Sequence, residues 1–136
     1  MNAKLPLMLA VVGVLSGCTA PDDTPKKDSA ISFQNDIAPI LSEHCVECHV
    51  PGGDGYEKSG LLLTEDSSTT ASYDNLMRGT RYGPVIVVGD AESSTLVRIV
   101  EGRVDPSIKM PHGKGSLSAE QQAALRQWVE QGASNN

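Results

Sequence analysis

Cys45-Val46-Glu47-Cys48-His49 spells C-x-x-C-H. Two thiols three positions apart on a turn can each add to one vinyl group along the same edge of a porphyrin. The histidine directly after them swings under the ring and reaches iron from the proximal side. The pattern predicts one covalently bound haem c, held through Cys45 and Cys48, with His49 as the proximal iron ligand. Two other chemistries use paired cysteines. A thioredoxin-like redox pair would sit in a βαβ pattern, and none surrounds this one. A zinc site would need two more ligands, and outside the motif only His44 and His112 remain, with no second C-x-x-C.

Upstream of the motif, Phe33, Ile37, Ile40, Leu41 and Cys45 recur at the spacing of one helix face. Pro39 lies inside that pattern, so the regular helix is expected to start near Asp36, with the proline in its first turn. At the other end of the chain, Ser118 and Gln121 form a capping box. Ala124, Leu125, Trp128 and Val129 make the apolar stripe, and Gly132 supplies the stop. Between these helices, Ser93–Glu101 and Ala71–Met77 have helical spacing. Val85-Ile86-Val87-Val88 is a β-branched run that predicts a short strand or an extended segment. Pro51-Gly52-Gly53-Asp54-Gly55 reads as a loop, with too few oxygen ligands in any recognised spacing for calcium.

A sixth iron ligand is expected from downstream. The candidates are Met77, Met110, His112 and His44. Met110 is favoured: Pro111 stiffens the chain after it, and Gly113 and Gly115 let the loop turn close to a ring. His112 is its competitor, because bis-histidine ligation would lower the potential, whereas a methionine thioether raises it. Met77 falls on an expected helix face beside Leu76 and reads as core filling. His44 adjoins the motif and is poorly placed to reach the opposite ring face.

The N-terminal segment reads as a processing signal. One cation, Lys4, precedes the apolar run Leu5–Leu15, which is too short for a spanning helix. Leu15-Ser16-Gly17-Cys18 resembles the lipobox of bacterial lipoproteins. It predicts cleavage after residue 17 and lipidation of Cys18. Residues 18–30 carry two prolines and five charges without apolar periodicity and read as a tether. The folded domain is expected over 31–136. With Cys18 under lipid and the other two cysteines on haem, no thiol is left over. The product would be exported and anchored to the cell envelope, facing the periplasm. Thr19, rather than Asp, after the cysteine favours the outer membrane where the organism has one.

Composition agrees with this division. The chain has 136 residues and a formal net charge of −6, from 11 Lys and Arg against 17 Asp and Glu. That balance argues against nucleic acid as a partner. Aromatic residues make up only 4%, so the core is thin and calls for a staple. Three cysteines, already allotted, leave a bound cofactor or metal as that staple.

The order Phe33, Asp36-Ile37, Pro39-Ile40-Leu41, Cys45-x-x-Cys48-His49 resembles the opening of a cytochrome c domain. Downstream, Gly60-Leu61-x-Leu63, Pro84, Gly89-Asp90, Ser93-x-x-Leu96-Val97, Met110-Pro111, Leu117-Ser118 and Trp128-Val129-x-x-Gly132-Ala133 continue the likeness. The chain is similar to class I-like cytochromes c, especially the planctomycete-type subgroup, over roughly residues 31–134. The resemblance implies an all-α fold in which N- and C-terminal helices cross around one haem with an exposed edge. In that family a Gly-Pro segment gives a carbonyl to the proximal histidine. Gly83-Pro84 resembles it, so Pro84 is expected to accept from the His49 ring.

These readings leave two functions. One is a one-electron carrier, not an enzyme, whose acidic surface suits redox partners with a basic docking patch. The other is a haem-based sensor or peroxidatic protein with a labile sixth ligand.

Overall fold

In the computed structural model, residues 29–64 and 70–136 are described. The lipobox, Cys18 and nearly all of the tether fall outside them. The described chain is all-α: helices α1 (Ala38–His44), α2 (Asp54–Ser59), α3 (Thr70–Arg78), α4 (Thr95–Val100) and α5 (Ala119–Glu130), with no strand among the described residues. None of these helices is long and apolar enough to cross a membrane.

Pro39 shapes the entry to the domain. It has no N–H to close an α-turn, and its ring crowds the carbonyl four residues back. The chain enters through a π-helical turn, Phe33–Ile37, in which the Ala38 N–H bonds to the Phe33 carbonyl. Helix α1 then starts with Pro39 in its first turn, where a missing N–H removes no intrahelical bond. Phe33, Ile37, Ile40 and Leu41 are all buried, as their spacing predicts.

Helix α5 has both expected signals. The Ser118 side chain accepts from the Gln121 N–H, and the Gln121 side chain accepts from the Ser118 N–H. At the other end, Ala133 N bonds to Trp128 O at 2.9 Å and Gly132 N to Val129 O at 3.1 Å. This is a Schellman closure, and the φ of +103° at Gly132 explains the glycine.

The core forms where the π-helical turn, α3 and α5 meet. Phe33 lies edge-on to Tyr73 at 5.2 Å and 5.4 Å from Trp128, measured between ring centroids. Both polar handles are satisfied by the C-terminal segment: Tyr73 OH donates to Ala133 O at 3.0 Å and Trp128 Nε1 to Ser134 O at 2.9 Å. The same segment closes onto the domain entry, since Phe33 N and Gln34 N donate to Asn136 Oδ1 and O at 2.9 and 3.1 Å.

The Val85–Val88 run takes the extended alternative to a strand. Val85 and Ile86 are buried while Val87 and Val88 are exposed. Buried Ser94 fixes the run: its hydroxyl accepts from Val87 N–H and donates to the Asp90 carbonyl, each at 2.8 Å. The glycine-rich stretch after the motif departs from the expected loop, because residues from Asp54 onward form α2. Tyr56 N bonds to the Cys48 carbonyl at 2.9 Å, so the motif itself helps to seed that helix.

Candidate functional site

The C-x-x-C-H segment continues directly from α1. Cys45 N and Val46 N both bond to Leu41 O, at 2.9 and 3.1 Å, and His49 N bonds to Cys45 O at 3.1 Å. Val46 is buried and pins the turn to the core, while Cys45 is half-buried and Cys48 exposed. The two are not joined in a disulfide.

Cys45, Cys48 and His49 line a cavity of about 690 Å³. That size is within the range of about 300–1,000 Å³ usual for small-molecule and cofactor sites. Leu41, Leu61, Leu63, Leu76, Val85 and Leu96 give it apolar walls. Met110 and Pro111 line the same cavity, and so does His112. The Met110 loop is attached through its backbone, Met110 N donating to Ile99 O at 3.2 Å. Met77 packs against the core and does not line the cavity. His44 does line it, with its Nε2 held 3.1 Å from Gln121 Nε2 on α5. Trp128 is buried away from the cavity walls.

The His49 ring is oriented by a neighbour the sequence did not suggest. Its Nδ1 lies 3.2 Å from the carbonyl oxygen of Leu61. A carbonyl only accepts, so this contact puts the ring proton on Nδ1 and leaves the Nε2 lone pair free. The expectation for Pro84 is corrected here. Its carbonyl instead faces the Thr95 hydroxyl at 3.4 Å, although Pro84 does line the cavity. The physical reason is that α2 and its left-handed cap at Gly60 turn the chain back within twelve residues of His49. Leu61 reaches the ring first. A backbone carbonyl carries no sequence signature; the usable signal was Gly60 as a helix stop.

Burial lowers the His49 pKa, and the Leu61 carbonyl opposes that by favouring the charged ring. Burial likewise pushes the Cys45 thiol up to about 11, with the Cys48 charge adding to it and Lys114 opposing. Burial thus works against a thiolate at Cys45. Among the described residues, no three His, Cys, Asp or Glu side chains converge to hold a metal ion unaided.

The donor set suits a haem c. Two thiols, an imidazole with an open Nε2 and a thioether share one apolar cavity. Cys45 and Cys48 could hold the macrocycle, His49 one iron face, and Met110 or His112 the other. Tyr82 lines the cavity and donates to Lys58 O at 3.0 Å, while Arg81 and Arg98 do not line it. In comparisons with protein-family models, curated proteins and solved structures, nothing matches this chain.

Proposed function

We propose that this chain is a membrane-tethered monohaem c-type cytochrome that passes single electrons between redox partners. The observation carrying this reading is that Cys45, Cys48, His49 and Met110 line one apolar cavity. When bound, the haem supplies reversible one-electron chemistry at iron. The chain's own residues supply the setting. Cys45 and Cys48 fasten the macrocycle by thioethers. His49 presents Nε2 while Leu61 fixes its tautomer, a contact that raises ligand basicity. Met110 presents a thioether, which favours the reduced form and a higher potential. Leu41, Leu63 and Leu76 keep water from the ring.

With the cofactor included, the proposed fold is a small cytochrome c fold, its N-terminal helical segment and α5 crossing beside the haem. The proposal extends to the segments outside the described residues: export, lipid on Cys18, and a periplasm-facing anchor, in an outer membrane where one exists. The net charge of −6, which becomes −6 − 1 = −7 once the segment carrying Lys4 is removed, suits partners with a basic docking patch and a salt-sensitive encounter.

The test is visible absorption of the purified protein, oxidised and reduced, after expression with haem c maturation, followed by acid–acetone extraction. Haem that stays with the protein, a low-spin reduced spectrum and a long-wavelength thioether–iron band are expected. Loss of all haem would remove the reading. A covalent, high-spin haem that binds carbon monoxide readily would turn it toward a sensor or peroxidatic role.

A further inference from the structure

Gly55 lies in the first turn of α2 with an ordinary, non-left-handed backbone. Alanine is the better helix former, so the backbone itself gives no reason for glycine here. The reason is space. A Cβ on residue 55 would stand 2.9 Å from His49 Nε2, 3.0 Å from His49 Cδ2 and 2.9 Å from the Cys48 carbonyl oxygen. Carbon does not approach unbonded heavy atoms that closely without displacement. The opposite edge of the same ring is fixed by Leu61 O at Nδ1. The imidazole is therefore held between a carbonyl on one edge and a bare α-carbon on the other. Gly55 also lines the cavity, so a methyl group there would crowd the one ring nitrogen left free.

We propose that Gly55 is a positioning residue: its missing side chain keeps Nε2 of His49 open to iron and sets the rotation of the imidazole. The identity of what Nε2 meets rests on the haem reading, while the packing of ring against glycine does not.

Gly53 provides the control. A Cβ there would meet the Cys48 carbonyl oxygen at 2.5 Å and Val50 O at 3.0 Å, and its nearest atoms include none of the ring. Gly55→Ala and Gly53→Ala thus both press on the Cys48 carbonyl, Gly53→Ala the more closely, and of the two only Gly55→Ala has the imidazole among its nearest atoms. Both are compared as haem-loaded protein. Gly55→Ala is expected to keep covalent haem but lose low-spin character in part of the population and shift its midpoint potential. Gly53→Ala presses on the Cys48 backbone without meeting the ring and is expected to cost stability rather than give that mixture of spin states. A Gly55→Ala protein with the wild-type spectrum and potential would overturn the proposal.

A second measurement needs no variant. In the reduced wild type, the Gly55 α-protons should give nuclear Overhauser contacts to the His49 proton on Cδ2, and their absence would overturn the proposal. If the wild type retains no haem, the haem reading fails, and the same contact in that haem-free chain still decides the Gly55 assignment.

Discussion

Lys114, four residues beyond Met110, is ion-paired with Glu47, which sits between the two motif cysteines. The pair joins the loop carrying the candidate distal ligand to the turn carrying the proximal one. Lys109 Nζ, bonded to Ser116 Oγ at 2.9 Å, closes the same loop upon itself. Both ionic partners are solvent-accessible, so global stability should hardly depend on the pair. Glu47→Gln is expected to loosen the loop: carbon monoxide binds the reduced protein faster than in the wild type. High salt should raise the wild-type rate toward that of the variant and leave the variant unchanged. Stopped-flow mixing reads both.

If the proposed haem is bound, Met110→Ala should retain it, abolish the long-wavelength thioether band and lower the midpoint potential, because a thioether ligand raises it. His112→Ala should leave band and potential in place. Spectra and redox titration of the two variants separate the two candidates that share the cavity. The opposite pattern would assign His112.

Helices α4 and α5 are joined by charge. Arg126 donates to both Glu101 oxygens at 2.8 Å, and Arg103 Nε donates to Glu101 Oε2 at 2.6 Å. The Arg126 hydrogen bond, followed by the contributions of Arg103, holds the Glu101 carboxyl below its ordinary value against its own desolvation. A carboxyl depressed in the folded state contributes stability above its unfolded pKa. That stability is lost as pH falls through the folded value. Glu101→Gln should therefore lower stability at neutral pH and flatten the acid limb of the curve. Urea midpoints taken from pH 7 down to pH 3 read the slope directly.

Trp128 is 1% exposed and packs on Phe33, apart from the cavity walls. Trp128→Ala should cost about 3–5 kcal/mol of unfolding free energy. The molecules that remain folded should keep the wild-type haem spectrum and potential. A changed spectrum in the folded fraction would mean that the aromatic core and the cavity are coupled. Chemical denaturation followed by far-ultraviolet circular dichroism and by haem absorbance separates the two effects.

The parts of the fold with local chemistry were legible from sequence. Ser118 and Gln121 announce the start of α5, Gly132 its end, and Phe33, Ile37, Ile40 and Leu41 the buried face leading to the motif. Helix α2 was not legible, because it buries no residue and has glycines before and within it. It exists through tertiary bonds such as Tyr56 N to the Cys48 carbonyl, which no periodicity encodes. At the site, the side-chain donors were readable and their supports were not. Leu61 acts through a carbonyl, which leaves no residue-type signal, and Gly55 is one of three glycines in a stretch that reads as a loop, so nothing in the sequence singles it out.

The closure of the two ends has a mechanical consequence. Ile31 N bonds to Gln131 Oε1 at 2.8 Å, Ser32 Oγ to Asn136 O at 2.8 Å and Phe33 N to Asn136 Oδ1 at 2.9 Å. None of these residues lines the cavity. Force transmitted through the chain upstream of residue 31 is therefore borne first by the junction with the C-terminal segment.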